Sequence, residues 1–490
     1  MAFSRKTLAA AALIAAIAAA GAWTANRWAA SALQRAIRRR LSPQVQIQSL
    51  HIRVFPSIRI EAGQIAAPAR HISIQRVTAE TGWIAAFAGH LRQLRLEGLR
   101  VTIPPRGRAA GLHPGPAPRG RRITVDRLTA DDAILEIMPK QPGKPPLEFD
   151  LYRLTIHGAG ADQAMSFETV LKNARPPGEI HSSGRFGPWN FQEPAATPVS
   201  GSYLFRGADL SVFKGIAGTL SSSGDYHGTL DHIEVDGSSD TPDFTVLAGG
   251  HPVDLACRFH AIVDGTDGNT YLQPVSGRFG ATTVLARGKI VRQEAIPGRL
   301  VALDATVDDG RLEDILRLVL KPAAVMTGAV SFQTTIIIPP EDVDVTQKLQ
   351  LDGAFTVAQA RFSRLNVQEK VNELSHRARG QPEMGDSGEV ASNFRGRFQL
   401  NRGVMTFTAL DFEVPGVRVS LSGTYGLLTE RLDLSGRAAL QAKLSQTTTG
   451  WKSALLKFLD PFFERNGAGA VIPIHIGGTS RSPHFGLKGG

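Results

Sequence analysis

Residues 398–421 read FQLNRGVMTFTALDFEVPGVRVSL, and their pattern decides the fold class. Apolar side chains recur at alternate positions: Phe398 and Leu400, Met405 and Phe407, Leu410, Phe412 and Val414, then Val417, Val419 and Leu421. A period of two marks a strand with one face buried and one in water. Asn401-Arg402-Gly403 and Pro415-Gly416 separate the runs and are turn signals. The stretch therefore predicts strands joined by tight hairpins.

Working outward, the same alternation continues through Leu432 and Leu434 to Ile472, Ile474 and Ile476. Toward the N-terminus it is met at Val45 and Ile47, Ile58 and Ile60, Ile72 and Ile74, Leu94 and Leu96, and Leu99, Val101 and Ile103. Fifty glycines in 490 residues suit a chain of many turns, and 42% hydrophobic residues suffice for a large buried surface. No rhythm of strands and long helices is present, which argues against doubly wound and barrel α/β folds. The fold class expected is mainly β.

Helices are few. Residues 82–91 read as a short one. Residues 309–321 read as a clearer one, with Asp309 as cap, Leu312, Ile315, Leu316 and Val319 on one face, and Pro322 as stop. Residues 449–466 carry a wide apolar stripe of Trp451, Ala454, Leu455, Phe458, Leu459, Phe462 and Phe463, with Pro461 as a kink. That amphipathic helix is read either as a cap on the β core or as a contact with a membrane or partner. Residues 104–122 (PPRGRAAGLHPGPAPRGRR) and 139–146 (PKQPGKPP) lack any period and read as exposed loops.

The formal charge is +11, which first suggests nucleic acid or an anionic surface. Its location decides otherwise. Residues 1–40 hold seven basic and no acidic residues, and residues 98–122 hold six basic and no acidic ones. Setting those 13 aside leaves 42 basic against 44 acidic residues, so the body is nearly neutral and no nucleic-acid partner is expected.

Arg5 and Lys6 precede an uncharged run from Thr7 to Asn26, with Leu8, Leu13, Ile14, Ile17 and Trp23 as its larger apolar members. Twenty helical residues span ~30 Å, the thickness of a bilayer core. The run reads as a signal anchor, with a cleaved signal peptide at Ala18-Ala19-Ala20 as the alternative. Five arginines follow it and two basic residues precede it, so charge leaves its orientation open. Arg27 to Leu41 continues as a basic amphipathic helix suited to anionic headgroups.

No catalytic motif is found. The Gly-Ala-Gly stretches at 158–160 and 467–469 lack a third glycine, and Asp264-Gly-Thr-Asp267-Gly-Asn269 has Val275 where a calcium loop needs its Glu. The acids from Asp225 to Asp243 read as a solvated face, with cation binding as the alternative. The single cysteine, Cys257, forbids an intrachain disulfide and a cysteine metal site. No enzyme activity, metal or cofactor is expected.

Specific strings resemble the AsmA-like family of bacterial envelope proteins. They are DLSVFKGIAGTLSSSGDYHGTLDHIEVDGSSDTPDF and VDGTDGNTYLQPVSGRFGATTVLARGKI within 209–290, and the 398–487 region with LSQTTTGWKSALLKFLDPFFERNGAGAVIPIHIGGT. LRLEGLRVTIP and DRLTADDAILEIMP fit the family's start. The resemblance implies a single-pass inner-membrane anchor, a periplasmic body, and an elongated, curled antiparallel β-groove with a hydrophobic inner face. At ~4.8 Å per strand, 20–25 strands would make roughly 100–120 Å of groove. The domains expected are 1–44 (anchor and basic helix), 45–200 and 201–397 (groove), and 398–490 (the AsmA-like C-terminal region).

The function implied is phospholipid transport or homeostasis between membranes in outer-membrane biogenesis. Its partners would be phospholipid, the inner membrane, and outer-membrane or periplasmic proteins. Phe398, Leu400, Met405, Phe407, Val417, Val419, Leu421, Leu432 and Leu434 are the candidate lipid-contacting residues. Stripping a ~16-carbon acyl chain from a bilayer costs ~12 kcal/mol, which a continuous apolar lining can offset. The competing reading is an envelope assembly scaffold that binds outer-membrane strands at its edges. A carbohydrate-directed β-protein is disfavoured by five Trp and five Tyr without a cluster.

Overall fold

The computed structural model describes residues 29–32, 34–35, 45–67, 72–103, 124–137, 147–160, 163–188, 190, 193–247, 249–293, 296, 298–320, 326–341, 343–362, 371–372, 375–376, 379, 391–441, 470–479 and 482–487. The protein is mainly β, as the period of two implies. The anchor residues 1–28, the loops at 104–122 and 139–146, and the aromatic segment 449–466 lie outside the described residues. Among the described residues no helix is long and apolar enough to cross a membrane.

The chain divides into two compact units, residues 1–208 with 223–233 and residues 209–222 with 234–490. The first contains β1 (Gln46–Arg53), β2 (Ile58–Ala67), β3 (Ile72–Thr81), α1 (Trp83–Ala88), β4 (His90–Glu97), β5 (Arg100–Ile103) and β6 (Thr124–Ile137). It continues with β7 (Leu147–Ala159), β8 (Met165–Ala174), β9 (Pro177–Phe186) and β10 (Pro198–Asp209). Neighbours from β1 to β4 and from β6 to β10 pair antiparallel.

β4 and β5 together fill one position between β3 and β6, and both run parallel to β6. A parallel neighbour requires a return crossover. Ile103 pairs with Ile137 and Thr124 with His90, so the ends joined lie ~43 Å apart at ~3.3 Å per strand residue. Twenty residues join Ile103 to Thr124, and a chain of that length reaches up to ~66 Å.

One row of this sheet breaks the alternation on every strand it crosses. Two successive residues are turned away from the apolar side at Gln48-Ser49, Gly63-Gln64, Gln75-Arg76, Glu97-Gly98, Asp131-Asp132 and Tyr152-Arg153. Left-handed φ values at Gln64 (49°), Gly98 (61°) and Asp132 (52°) turn the chain there. Apolar residues flank each insertion, as Ala62 and Ile65 or Ala130 and Ala133 do. The period read from Val45 and Ile47 accordingly resumes at Leu50, not at Ser49.

Strands β11 (Ile216–Ala217), β12 (Thr219–Thr229) and β13 (His232–Val246) follow. The second unit continues with β14 (Val253–Val263), β15 (Thr270–Phe279), β16 (Thr282–Arg292), β17 (Arg299–Arg311), α2 (Leu312–Val319), β18 (Met326–Ile338), α3 (Val345–Lys348) and β19 (Gln350–Phe362). It ends in β20 (Ser392–Asn401), β21 (Val404–Val414), β22 (Val417–Gly426), β23 (Arg431–Leu440), β24 (Ala470–Thr479) and β25 (Ser482–Leu487). From β14 to β25 each strand pairs antiparallel with the next.

The helix expected at 309–321 is corrected. β17 runs on through Asp309 to Arg311, because Gly310 and Arg311 still pair with Val330 and Ala329. α2 starts only at Leu312, and its N-cap, Arg311, makes no side-chain cap bond. Asp314 instead ties the helix down, accepting from the Ala281 N–H and the buried Thr282 hydroxyl, each at 2.9 Å. The helix expected at 82–91 is present as Trp83–Ala88, closed by Gly89 in the left-handed region.

Candidate functional site

The antiparallel register of the second unit aligns side chains into rows that cross the strands, because directly paired residues share a face. One row runs Phe259, Val275, Ala286, Ala305, Thr334, Gly353, Phe398, Phe407, Gly423, Leu434, Ile476 over eleven strands. The next row on the same face is Gly288, Leu303, Ile336, Leu351, Leu400, Met405, Tyr425, Leu432. On the other side lie Val307, Phe332, Phe355, Gly396, Leu410, Leu421, Gly436, Ile474, and then Val330, Val357, Phe394, Phe412, Val419, Ala438, Ile472. Val414, Val417 and Leu440 form the last.

All nine candidate lining residues therefore stand on one face of one sheet. Their surroundings differ. Val417, Val419, Leu421 and Leu434 are buried in a cluster with Val371, Val414 and Leu440. Leu400 is 2% exposed. Phe398, Met405, Phe407 and Leu432 are only half-buried. α2 covers one end of this face, with Leu312 set among Val330, Val357 and Ala360 and with Ile315 and Leu316 beside them. The half-buried Phe332, Phe355, Phe394, Phe407, Phe412, Ile472, Ile474 and Ile476 give the rest an apolar lining that still meets solvent.

Phenylalanines and glycines alternate between neighbouring strands of this lining. Phe355 pairs with Gly396, and a Cβ there would meet the Phe355 ring at 2.6 Å. Phe355 and Phe398 lie 6.1 Å apart, and Phe394 packs 4.9 Å from Phe412 and 6.3 Å from Phe362. Phe355, Phe394 and Phe412 were not among the candidates. For Phe355 the signal is the glycine opposite it, Gly396; Phe394 and Phe412 pair with each other and are marked only by the strand alternation.

The reverse face is polar and paired. Arg395 binds Asp411 at 2.8 Å, Ser420 donates to Asp411 at 2.6 Å, Arg418 binds Glu413 at 2.8 Å and Gln399 donates to Asp352 at 2.9 Å. The Ser420 hydroxyl, followed by Arg395, holds the Asp411 carboxyl below its ordinary pKa. Cys257, two residues before Phe259, is half-buried, and burial pushes its thiol up. Such a thiol is poorly nucleophilic.

In the first unit an apolar row runs Leu50, Ala62, Val77, Leu96, Ala130, Leu154 and then turns polar at Thr169, Ser182 and Tyr203. Ser182 shares a hydrogen bond of 2.8 Å with the Tyr226 hydroxyl, whose pKa burial raises. A cavity of about 340 Å³, lined by Gln46, Gln48, Gln64, Gln75, Arg100 and Asp132 among others, sits at the row of inserted residues. Ile65, Ile74, Leu99 and Ile134 also line it, so the cavity is of mixed polarity.

Among the described residues no group of three or more His, Cys, Asp or Glu could hold a metal ion. The Asp264–Asn269 segment is a hairpin turn between β14 and β15, and its carboxylates accept from Thr266 and Asn269 N–H groups at 2.8 Å. The anchor residues Leu8, Leu13, Ile14, Ile17 and Trp23 lie outside the described residues. So do Trp451, Leu455, Phe458, Leu459, Phe462 and Phe463. No family model, curated protein or solved structure matches the chain.

Proposed function

We propose that this chain is an AsmA-like protein of the bacterial envelope, anchored in the inner membrane by residues 7–26, with its body in the periplasm. Its apolar sheet face shelters phospholipid acyl chains on their way between membranes and so supports outer-membrane biogenesis. The observation that carries the reading is the row from Phe259 to Ile476. It is apolar or small at ten of eleven positions, with Thr334 the exception, and its phenylalanines are half-buried.

The physical requirement is continuity. An acyl chain loses ~0.8 kcal/mol for each methylene wetted, so any gap in the lining becomes a barrier. The paired rows provide apolar contact at every strand step of ~4.8 Å. The polar face, with its Arg–Asp and Arg–Glu pairs, meets water, and the headgroups stay in solvent at the open side.

The test is lipid retention. The full-length protein, purified in a non-lipid-like detergent and extracted with organic solvent, should release phospholipid in at least equimolar amount. A lipid-free protein that remains folded after mild solubilisation, and takes up no phospholipid from vesicles, would overturn the reading.

A further inference from the structure

One end of the first unit's sheet carries apolar side chains that neither face explains. Phe55 lies in the β1–β2 turn, and Trp83 and Ile84 open α1 in the β3–β4 turn. They are 63%, 41% and 88% exposed. Ile58 pairs with Thr81, so both turns leave the sheet side by side at the same end. Single exposed apolar residues are ordinary, but three large ones projecting from adjacent turn tips form a patch.

Several arginines of this sheet are matched: Arg59 with Glu80, Arg76 with Glu97, Arg95 and Arg153 with Asp131, and Arg100 with Glu136. Arg53 ends β1 at the rim. The Arg92 guanidinium lies 3.5 Å from where a Gly82 Cβ would be, next to Trp83. Among the described residues neither Arg53 nor Arg92 has a carboxylate partner.

The chain N-terminal to β1 also packs against this sheet. Residues 29–32 and 34–35 are helical, and the Gln34 side-chain amide donates to the Leu50 carbonyl of β1 at 3.3 Å. At 1.5 Å per helical residue, residue 29 lies within ~8 Å of Gln34, and Leu50 is ~10 Å from Arg53 along its strand.

We infer that Phe55, Trp83 and Ile84 insert into the surface of the membrane that holds the anchor, with Arg53 and Arg92 on its anionic headgroups. Aromatic and branched apolar side chains on protruding turns, with Arg53 and Arg92 beside them, suit the boundary between headgroups and acyl chains. A recessed protein-binding groove would not place them at turn tips. The inference rests on the anchored reading of the chain, and it fixes which end of the first unit meets the bilayer.

The experiment uses full-length protein carrying Cys257→Ser and Ile84→Cys. Position 84 is labelled with an environment-sensitive fluorophore and the protein is reconstituted into phosphatidylcholine–phosphatidylglycerol vesicles containing spin-labelled lipid. A Leu428→Cys protein, exposed in the second unit, is the control. Expected are a blue shift and strong quenching at position 84, little of either at 428, and at least a halving of the quenching by Arg53→Gln with Arg92→Gln. Protein that floats with the vesicles while position 84 emits as in water overturns this inference alone. Protein that does not float overturns the anchor and this inference with it.

Discussion

Phe398→Arg places a charge at the centre of the eleven-strand row. Phe398 is half-buried and loses its packing against Phe355, 6.1 Å away. That aromatic pair contributes ~1 kcal/mol beyond area. The arginine stem keeps part of the apolar contact while its head reaches the open side, so the total folding cost is about 2 kcal/mol. The transport cost is larger. An acyl chain advancing ~1.3 Å per methylene has about four methylenes opposite one 4.8 Å strand step. Denying them apolar contact raises the barrier by ~3 kcal/mol, a fall of roughly a hundredfold in rate. The assay is transfer of fluorescent phospholipid between vesicles by the purified protein, with thermal melting as the folding control. Phe398→Leu should transfer lipid at nearly the native rate. Native transfer by a folded Phe398→Arg protein would refute the reasoning.

Four further outcomes probe the framework. Gly436→Ala puts a Cβ onto the Ser420 carbonyl oxygen of the paired strand, and backbone there cannot yield, so melting should report a loss of at least ~2 kcal/mol. Gly207→Ala, with φ +62° but nothing within 4 Å, should lose only about 1 kcal/mol. Asp314→Ala strips the acceptor from the buried Thr282 hydroxyl and should cost about 2–3 kcal/mol, with cleavage near α2 in limited proteolysis. Asp411, with its carboxyl pKa lowered in the fold, stabilises fully above the unfolded pKa of ~3.9, and that stability is lost as pH falls through the folded value. Asp411→Asn should therefore melt below the native protein at pH 7, and the gap should close as pH falls through the lowered pKa of the folded carboxyl.

The sheet around residues 398–440 was legible because nothing there interrupts the period for long. Val417, Val419 and Leu421 alternate cleanly with the exposed Arg418, Ser420 and Ser422. The insertions at Gln64 and Asp132 were not legible, since neither is a glycine and the left-handed backbone is imposed by neighbouring strands that step together. The same tertiary override moved the start of α2, where strand pairing at Gly310 and Arg311 outcompeted the cap offered by Asp309. Gly396 serves as floor beneath Phe355, a role that shows only once β19 and β20 pair. The rim patch was hidden for a simpler reason: Phe55, Trp83 and Ile84 come together only when β1 to β4 pair.

The most direct test is photo-crosslinking in living bacteria. A photoreactive phenylalanine analogue would replace the half-buried Phe398, Phe407, Leu432 or Ile474, and in parallel Gln399, Thr406, Asp433 or His475, one position away along the same strands. Phospholipid adducts at the first four positions and not at the second four are expected. Adducts on both faces alike, or none on the apolar face while the analogue captures other neighbours there, would contradict a lipid-bearing sheet.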